Sequence, residues 1–230
     1  MGPMTETRTL STATVGRYLV EPASHPVPGA DAPLLVGFHG YGQNAEQMLG
    51  ELRRIPGSAA WTLVSMQALH RFYNTKTQVV VGSWMTSLDR DQAIKDNLAY
   101  VGRVIAELRP ELRPELGAEM GGGKLVFAGF SQGAAMAWRA TARFSPCGGL
   151  IVLGGDLPKD VAEAATLALP PVLLGRGDRD TFYTADQLAK DLAVIEARGL
   201  QVETLRFEGG HEWHPAFLDA AGRFLERIRV

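Results

Sequence analysis

The sequence predicts an α/β protein with a mostly parallel central sheet and helices on both faces. Three observations predict it. Short apolar runs, such as Leu34–Phe38 and Gly149–Leu153, alternate with longer segments whose apolar residues recur at helical spacing. The short runs are apolar throughout, as strands covered on both faces of a parallel sheet should be. Gly129-Phe-Ser-Gln-Gly133 stands where one such run meets a helical segment, which makes it a sharp strand-to-helix turn with a serine at its apex.

The elements follow in order. Val15–Val20 reads as an edge strand. The stretch Glu21–Pro33 holds Pro22, Pro26, Pro28 and Pro33 and reads as a connecting loop. Leu34–Phe38 is a buried strand, Asn44 to Arg54 a helix, and Thr62–Met66 another strand. Asp91 to Leu108 places Ile94, Leu98, Val101, Val104, Ile105 and Leu108 at helical intervals, and Pro110 stops it. Gly121–Gly123 reads as a loop before the strand Leu125–Ala128. The helix Gln132 to Arg143 follows the serine turn. Next come a strand at Gly149–Leu153, a short helix at Asp160–Leu167 and a strand at Pro171–Gly175. Thr184 opens a helix with a capping box to Gln187, and Tyr183 and Leu188 stand at the positions of a hydrophobic staple. Leu200–Phe207 is a strand, and Trp213–Ile228 closes the chain as a helix.

Composition bounds the function classes. A chain of 230 residues with 46% hydrophobic residues is long enough for one sizeable core, so a single domain over 1–230 is expected, with 1–14 as a flexible N-terminal segment. The formal charge is −2 and no basic run exists to neutralise phosphates, which argues against nucleic acid as a partner. Cys147 is the sole cysteine, so no intramolecular disulfide forms. Met1 to Thr14 lacks an apolar signal core, and no run reaches the ~20 apolar residues of a spanning helix. A cytoplasmic protein without stable membrane anchoring is the expectation. A homodimer is one open possibility, and the sequence does not fix the oligomeric state.

The serine turn is the chemical centre of the sequence. In a Gly-x-Ser-x-Gly elbow the flanking glycines avoid a clash across the turn, and the hydroxyl is thrown clear of both elements. A serine hydroxyl is a weak nucleophile near neutral pH, so Ser131 needs a base and a group that holds the base's tautomer. His211 follows Gly209 and Gly210 after a strand, and a tight glycine loop suits it to present its ring as that base. Asp178 and Asp180 follow another strand, and Asp156 follows a third. Asp180 is preferred as the orienting acid, with Asp178 as a turn residue. The resulting order, Ser then Asp then His, is that of the α/β-hydrolase plan. His211-Glu-Trp-His214 is one residue short of the zinc pattern His-Glu-x-x-His, so no metal is expected. No cofactor is required.

Acyl transfer develops negative charge on a carbonyl oxygen, which preorganised N–H groups must meet. Gln132, the residue after the nucleophile, supplies one main-chain N–H. His39-Gly40-Tyr41-Gly42 follows an early strand, and Tyr41 is the candidate for the second.

With these segments in place, the chain resembles the phospholipase/carboxylesterase family of α/β-hydrolases, which includes the acyl-protein thioesterases. The matching segments are Phe38-His-Gly-Tyr-Gly42, Ser83-Trp84, Gly129-Phe-Ser-Gln-Gly133, Gly177-Asp-Arg-Asp180 and Gly210-His211. The resemblance implies Ser131, Asp180 and His211 as the triad and Tyr41 and Gln132 as oxyanion donors. Ala134, Met85-Thr86 and Thr181 depart from the family's habit, and they bear on the acyl pocket rather than the triad.

Pocket candidates are Met48, Phe72, Tyr73, Trp84, Met85, Phe182 and Trp213, with residues 68–90 shaping a groove for an acyl chain. No insertion is long enough for a large separate lid. The expected substrate is therefore a small to medium acyl ester or thioester, hydrolysed through an acyl-enzyme. The alternatives are a lactone hydrolase or peptidase using the same triad, or a non-catalytic binding protein on the same fold.

Overall fold

The computed structural model describes residues 5–26, 32–109, 125–164 and 169–229. Nine strands lie among them: β1 (Arg17–Glu21), β2 (Leu34–Phe38), β3 (Thr62–Gln67), β4 (His70–Tyr73), β5 (Val80–Ser83), β6 (Leu125–Phe130), β7 (Gly149–Leu153), β8 (Val172–Gly177) and β9 (Val202–Phe207). The helices are α1 (Ala45–Arg54), α2 (Arg90–Leu108), α3 (Gln132–Arg143), α4 (Lys159–Ala162), α5 (Ala185–Ala197) and α6 (Pro215–Arg229). Seven strands form one sheet in the order β1-β3-β2-β6-β7-β8-β9. Only the edge strand β1 runs antiparallel to its neighbour within this sheet.

Successive strand residues point to opposite faces, and here both faces are apolar. Leu34, Val36, Phe127, Leu150, Val152 and Leu174 join a core with α2, α3, α4 and α5. Their sequence neighbours Leu35, Val126, Ile151 and Leu173 join a second core with α1 and α6. That is why the sheet's central strands read as unbroken apolar runs.

The strand order fixes where a site forms. From β2 the chain crosses through α1 to β3 on one side, whereas from β6 it crosses through α3 to β7 on the other. Helices α1 and α3 therefore lie on opposite faces, and a crevice opens beyond the carboxyl ends of β2 and β6. Such a reversal is the usual ligand position in an open α/β sheet. The pairing of Phe38 with Gly129 sets the residues after β2 directly beside the serine turn.

Helix starts carry local signals. Asn44 and Gln47 form a capping box at α1, and Thr184 and Gln187 form the one expected at α5. Tyr183 and Leu188 are both buried in the same core beside that cap. The last helix starts at Pro215 rather than Trp213, because His214 sits before it and accepts from the Ala216 and Phe217 N–H groups. The short helix α4 spans only Lys159–Ala162. Residues 165–167 of the expected Asp160–Leu167 helix lie outside the described residues, as do Pro110 and Gly121–Gly123.

One element departs from the sequence reading. Residues 70–83, to which the sequence reading gave no element, form the antiparallel hairpin β4–β5. Its turn carries no two-residue Asn-Gly signal. Instead Asn74 Oδ1 accepts the N–H groups of Lys76 and Thr77 and closes a wider turn.

Candidate active site

Ser131 sits between β6 and α3 at φ 54°, ψ −122°. A β-carbon makes this region costly, about 1–3 kcal/mol, so surrounding contacts must hold it. The Ser131 N–H donates to Leu153 O at 2.9 Å, and the Ala134 N–H donates to Ser131 O at 2.9 Å. A Cβ on Gly129 would stand 2.7 Å from the Ala134 Cα, so this turn closes only with glycine there.

His211 and Asp180 arrive from the next strand ends. Asp180 follows β8 in a turn closed by its own N–H to Gly177 O at 3.0 Å. Its carboxylate is buried and used on both oxygens. Oδ1 accepts the N–H groups of Phe182 at 2.8 Å and Tyr183 at 2.9 Å. Oδ2 accepts Nδ1–H of His211 at 2.8 Å, which leaves Nε2 as the free basic nitrogen of the neutral ring. The His211 ring lies between Phe130 and Phe182, with centroids 4.7 and 4.9 Å away. Gly154 follows Leu153, the residue that accepts the Ser131 N–H. A Cβ built on Gly154 would stand 3.0 Å from His211 Nδ1. The end of β7 thus touches both the serine turn and the histidine.

A buried arginine that the sequence reading missed braces the acid's loop. Arg176, near the end of β8, donates through Nε to Tyr183 O at 2.7 Å and through Nη2 to Asp180 O at 3.3 Å. Asp178 pairs with Arg206 of β9 at 2.7 Å, which holds the outer part of the loop. Asp156 lies on the exposed surface, apart from these contacts.

The turn after β2 is held by His39, to which the sequence reading gave no role of its own. His39 is fully buried. Its Nδ1–H donates to Gly40 O at 2.7 Å, and its Nε2 accepts the Ala68 N–H at 3.2 Å. Burial pulls its pKa down from 6.5 to about 4, against a smaller upward pull from the Gly40 carbonyl. His39 is therefore neutral at pH 6 with its proton on Nδ1, and an imidazole ¹⁵N spectrum should report that tautomer. A doubly protonated ring at pH 6 would refute the assignment.

The same turn carries Tyr41. The Gly42 N–H is spent on Gly82 O at 3.0 Å and the Gly40 N–H on Gln43 Oε1 at 2.8 Å. The main-chain N–H groups of Tyr41 and Gln132 have no acceptor among the described residues.

The pocket candidates divide. Phe182, Tyr73 and Phe72 are exposed, and the Tyr41 and Phe72 rings stand 5.6 Å apart. Trp84, expected to face substrate, is instead fully buried between Phe38 and His39, and its indole N–H donates to His39 O at 2.8 Å. Met85 is buried, and its sulfur lies 3.8 Å from Arg139 Nη1. Met48 is buried under Gly37 in the core beneath α1, and Trp213 is buried against Phe130 and Phe217. Indole and thioether groups fill the space between elements here, so their size spoke for packing rather than for a pocket. A cavity of about 680 Å³ lies between residues 9–16 and α2, bordered by Leu10, Tyr100 and Arg103, and shares no lining residue with this site. Among the described residues, no three His, Cys, Asp or Glu side chains come together to hold a metal ion, and no helix is long and apolar enough to cross a membrane.

Parallel strands, the crevice beyond β2 and β6, and a serine turn with a following acid and histidine define the α/β-hydrolase fold class. Residues 27–228 match the model of the phospholipase/carboxylesterase family. The chain belongs to that family, which places it among ester-hydrolysing enzymes. No curated protein sequence matches it. Among solved structures, esterase PE8 is similar with 24% identity and a TM-score of 0.69, over 93% of this chain and 99% of that one. A carboxylesterase of Bacillus cereus is similar at 14% identity and TM-score 0.67, over 93% of this chain and 94% of that one. SOBER1 of Arabidopsis thaliana is similar at 16% identity and TM-score 0.67, over 85% of this chain and 98% of that one. At these identities the likeness is one of fold.

Proposed function

We propose that the protein is a serine carboxylesterase for small to medium acyl esters or thioesters, working through Ser131, His211 and Asp180. The observation that carries this reading is the pairing of His211 with the buried Asp180 at 2.8 Å, on the same sheet edge as the positive-φ Ser131. Ser131 Oγ attacks the acyl carbon while His211 Nε2 takes its proton. The carbonyl π electrons move onto oxygen, and the main-chain N–H groups of Tyr41 and Gln132 receive the negative charge. Collapse expels the alcohol or thiol, which takes the proton from His211. Water then attacks the acyl-enzyme with His211 again as base, and the acid leaves with Ser131 restored. Asp180 holds the tautomer and stabilises the imidazolium.

Exposed apolar side chains support the proposed substrate range. Tyr41, Phe72 and Phe182 offer exposed apolar surface next to the turn and the histidine. That surface suits a hydrocarbon chain attached to the scissile carbonyl.

Intact mass after treatment with a fluorophosphonate tests the reading. Wild type should gain one adduct and Ser131→Ala none. Ester turnover in Ser131→Ala should fall by roughly four to six orders of magnitude with the fold retained. Wild-type turnover in that variant would overturn the nucleophile assignment.

A further inference from the structure

The Gln132 side chain does something that its main chain does not. A carboxamide offers one acceptor and two donors at fixed spacing. Here the acceptor Oε1 takes the Trp84 N–H at 2.9 Å, and the donor Nε2 gives to Met85 O at 2.9 Å. Ser83 Oγ lies within 3.3 Å of Nε2 and itself donates to Met85 O at 2.9 Å. Turning the amide over would set NH₂ against N–H and oxygen against oxygen, so its orientation is fixed. The side chain thus fastens residues 83–85 to the first turn of α3, one residue past Ser131.

The same segment is fastened on its other side to the turn after β2. The Trp84 indole N–H holds His39 O at 2.8 Å. Gly82 O accepts the Gly42 N–H at 3.0 Å, and the Gly82 N–H donates to Gln43 O at 2.8 Å. These bonds flank Tyr41. The buried His39 ring, bonded to Gly40 O and Ala68 N, leaves the turn no slack beneath. Residues 82–85 therefore bridge the two loops that carry the Tyr41 and Gln132 N–H groups, and the Gln132 amide makes the junction on the serine side.

We infer that the Gln132 side chain is a positioning residue: through Trp84 and Met85 it sets the separation of the two N–H groups that receive the substrate oxyanion. This rests on the esterase reading above. The reason for a side-chain clamp is geometric. An oxyanion donor works only when aimed at the position the oxygen occupies in the tetrahedral state, and a shift of about 1 Å costs about 10²-fold.

The test uses Gln132→Met, which keeps the main-chain N–H and the length but loses both amide bonds, and Trp84→Phe, which keeps a buried ring but loses the donor to His39 O. Turnover of a short acyl ester is measured together with inhibition by an alkyl trifluoromethyl ketone, which forms a tetrahedral oxyanion on serine. In each variant kcat should fall roughly 10- to 100-fold with KM within about two-fold. Ketone affinity should weaken in parallel, and melting should remain cooperative. The double variant should cost about as much as the worse single one, because both cut the same bridge. Full kcat and ketone affinity in folded Gln132→Met would overturn the inference. So would a loss in KM alone. If Gln132→Met does not fold, Trp84→Phe decides by the same readouts. A wild-type protein without fluorophosphonate labelling or esterase activity would instead overturn the esterase reading.

Discussion

Asp180→Asn should leave a folded protein whose ester turnover is lower by about 10⁴-fold. The reason lies in how the carboxylate is shared. Asparagine keeps Oδ1 for the Phe182 and Tyr183 N–H groups, so the turn after β8 keeps its shape. Its NH₂ then faces His211 Nδ1, where a carboxylate oxygen had accepted. Nδ1 must turn acceptor, the ring proton moves to Nε2, and the nitrogen proposed to take the Ser131 proton loses its basicity. The fold supports the swap because Arg176 holds Asp180 O and Tyr183 O through the main chain, independently of the side chain. Turnover and thermal melting, measured on the same preparation, check this. Turnover within ten-fold of wild type would show that the pair does not set the base. Unfolding would show that Asp180 is chiefly structural.

The sheet was largely legible in the sequence because its central strands are buried on both faces. Apolar runs such as Leu34–Phe38 and Gly149–Leu153 match the strands that form, residue for residue. The elbow was legible for the same reason: a glycine-flanked serine between an apolar strand and a helix has few other conformations open to it. The acid and the base could be proposed because each follows a strand whose direction the parallel sheet fixes. Two kinds of feature could not be read. The hairpin β4–β5 is mostly exposed on β4 and has an Asn74-based turn, so neither apolar alternation nor turn chemistry marked it. The second kind is the contact between distant residues. Trp84 reads as a pocket residue until its indole N–H is seen to reach His39 O. The Gln132 side chain has no sequence signal for its partners, which lie 47 to 49 positions away. Arg176 lies one residue past the strand expected at Pro171–Gly175, yet it is buried beneath the loop whose carbonyls it holds. Side chains that serve distant backbone groups leave no periodicity.

Gly133→Ala should damage stability and activity together. Gly133 lies in the first turn of α3, where the helix passes directly over the end of β2. A Cβ there would stand 2.5 Å from His39 O and closer still to Phe38 O. Both obstacles are main-chain atoms, so no rotamer change relieves them. Either α3 lifts from the sheet or the turn after β2 is pushed outward. Overpacking of this kind costs about 1–3 kcal/mol, and the rigidity of the two backbones places it at the upper end. At about 2–4 °C per kcal/mol for a domain of this size, melting should fall by roughly 6–12 °C. The activity loss should exceed the population of unfolded protein at the assay temperature, because the displaced atoms adjoin both Tyr41 and Ser131. A shift of the 39–42 turn moves one proposed oxyanion donor away from the other while the Asp180–His211 pair, on the loops after β8 and β9, stays in place. The expected signature is a large fall in kcat in protein that is still folded at 25 °C, with fluorophosphonate labelling slowed rather than abolished. An alanine variant with wild-type melting would mean that the helix and the turn separate freely. The close approach of α3 to β2 would then not be what aligns the site.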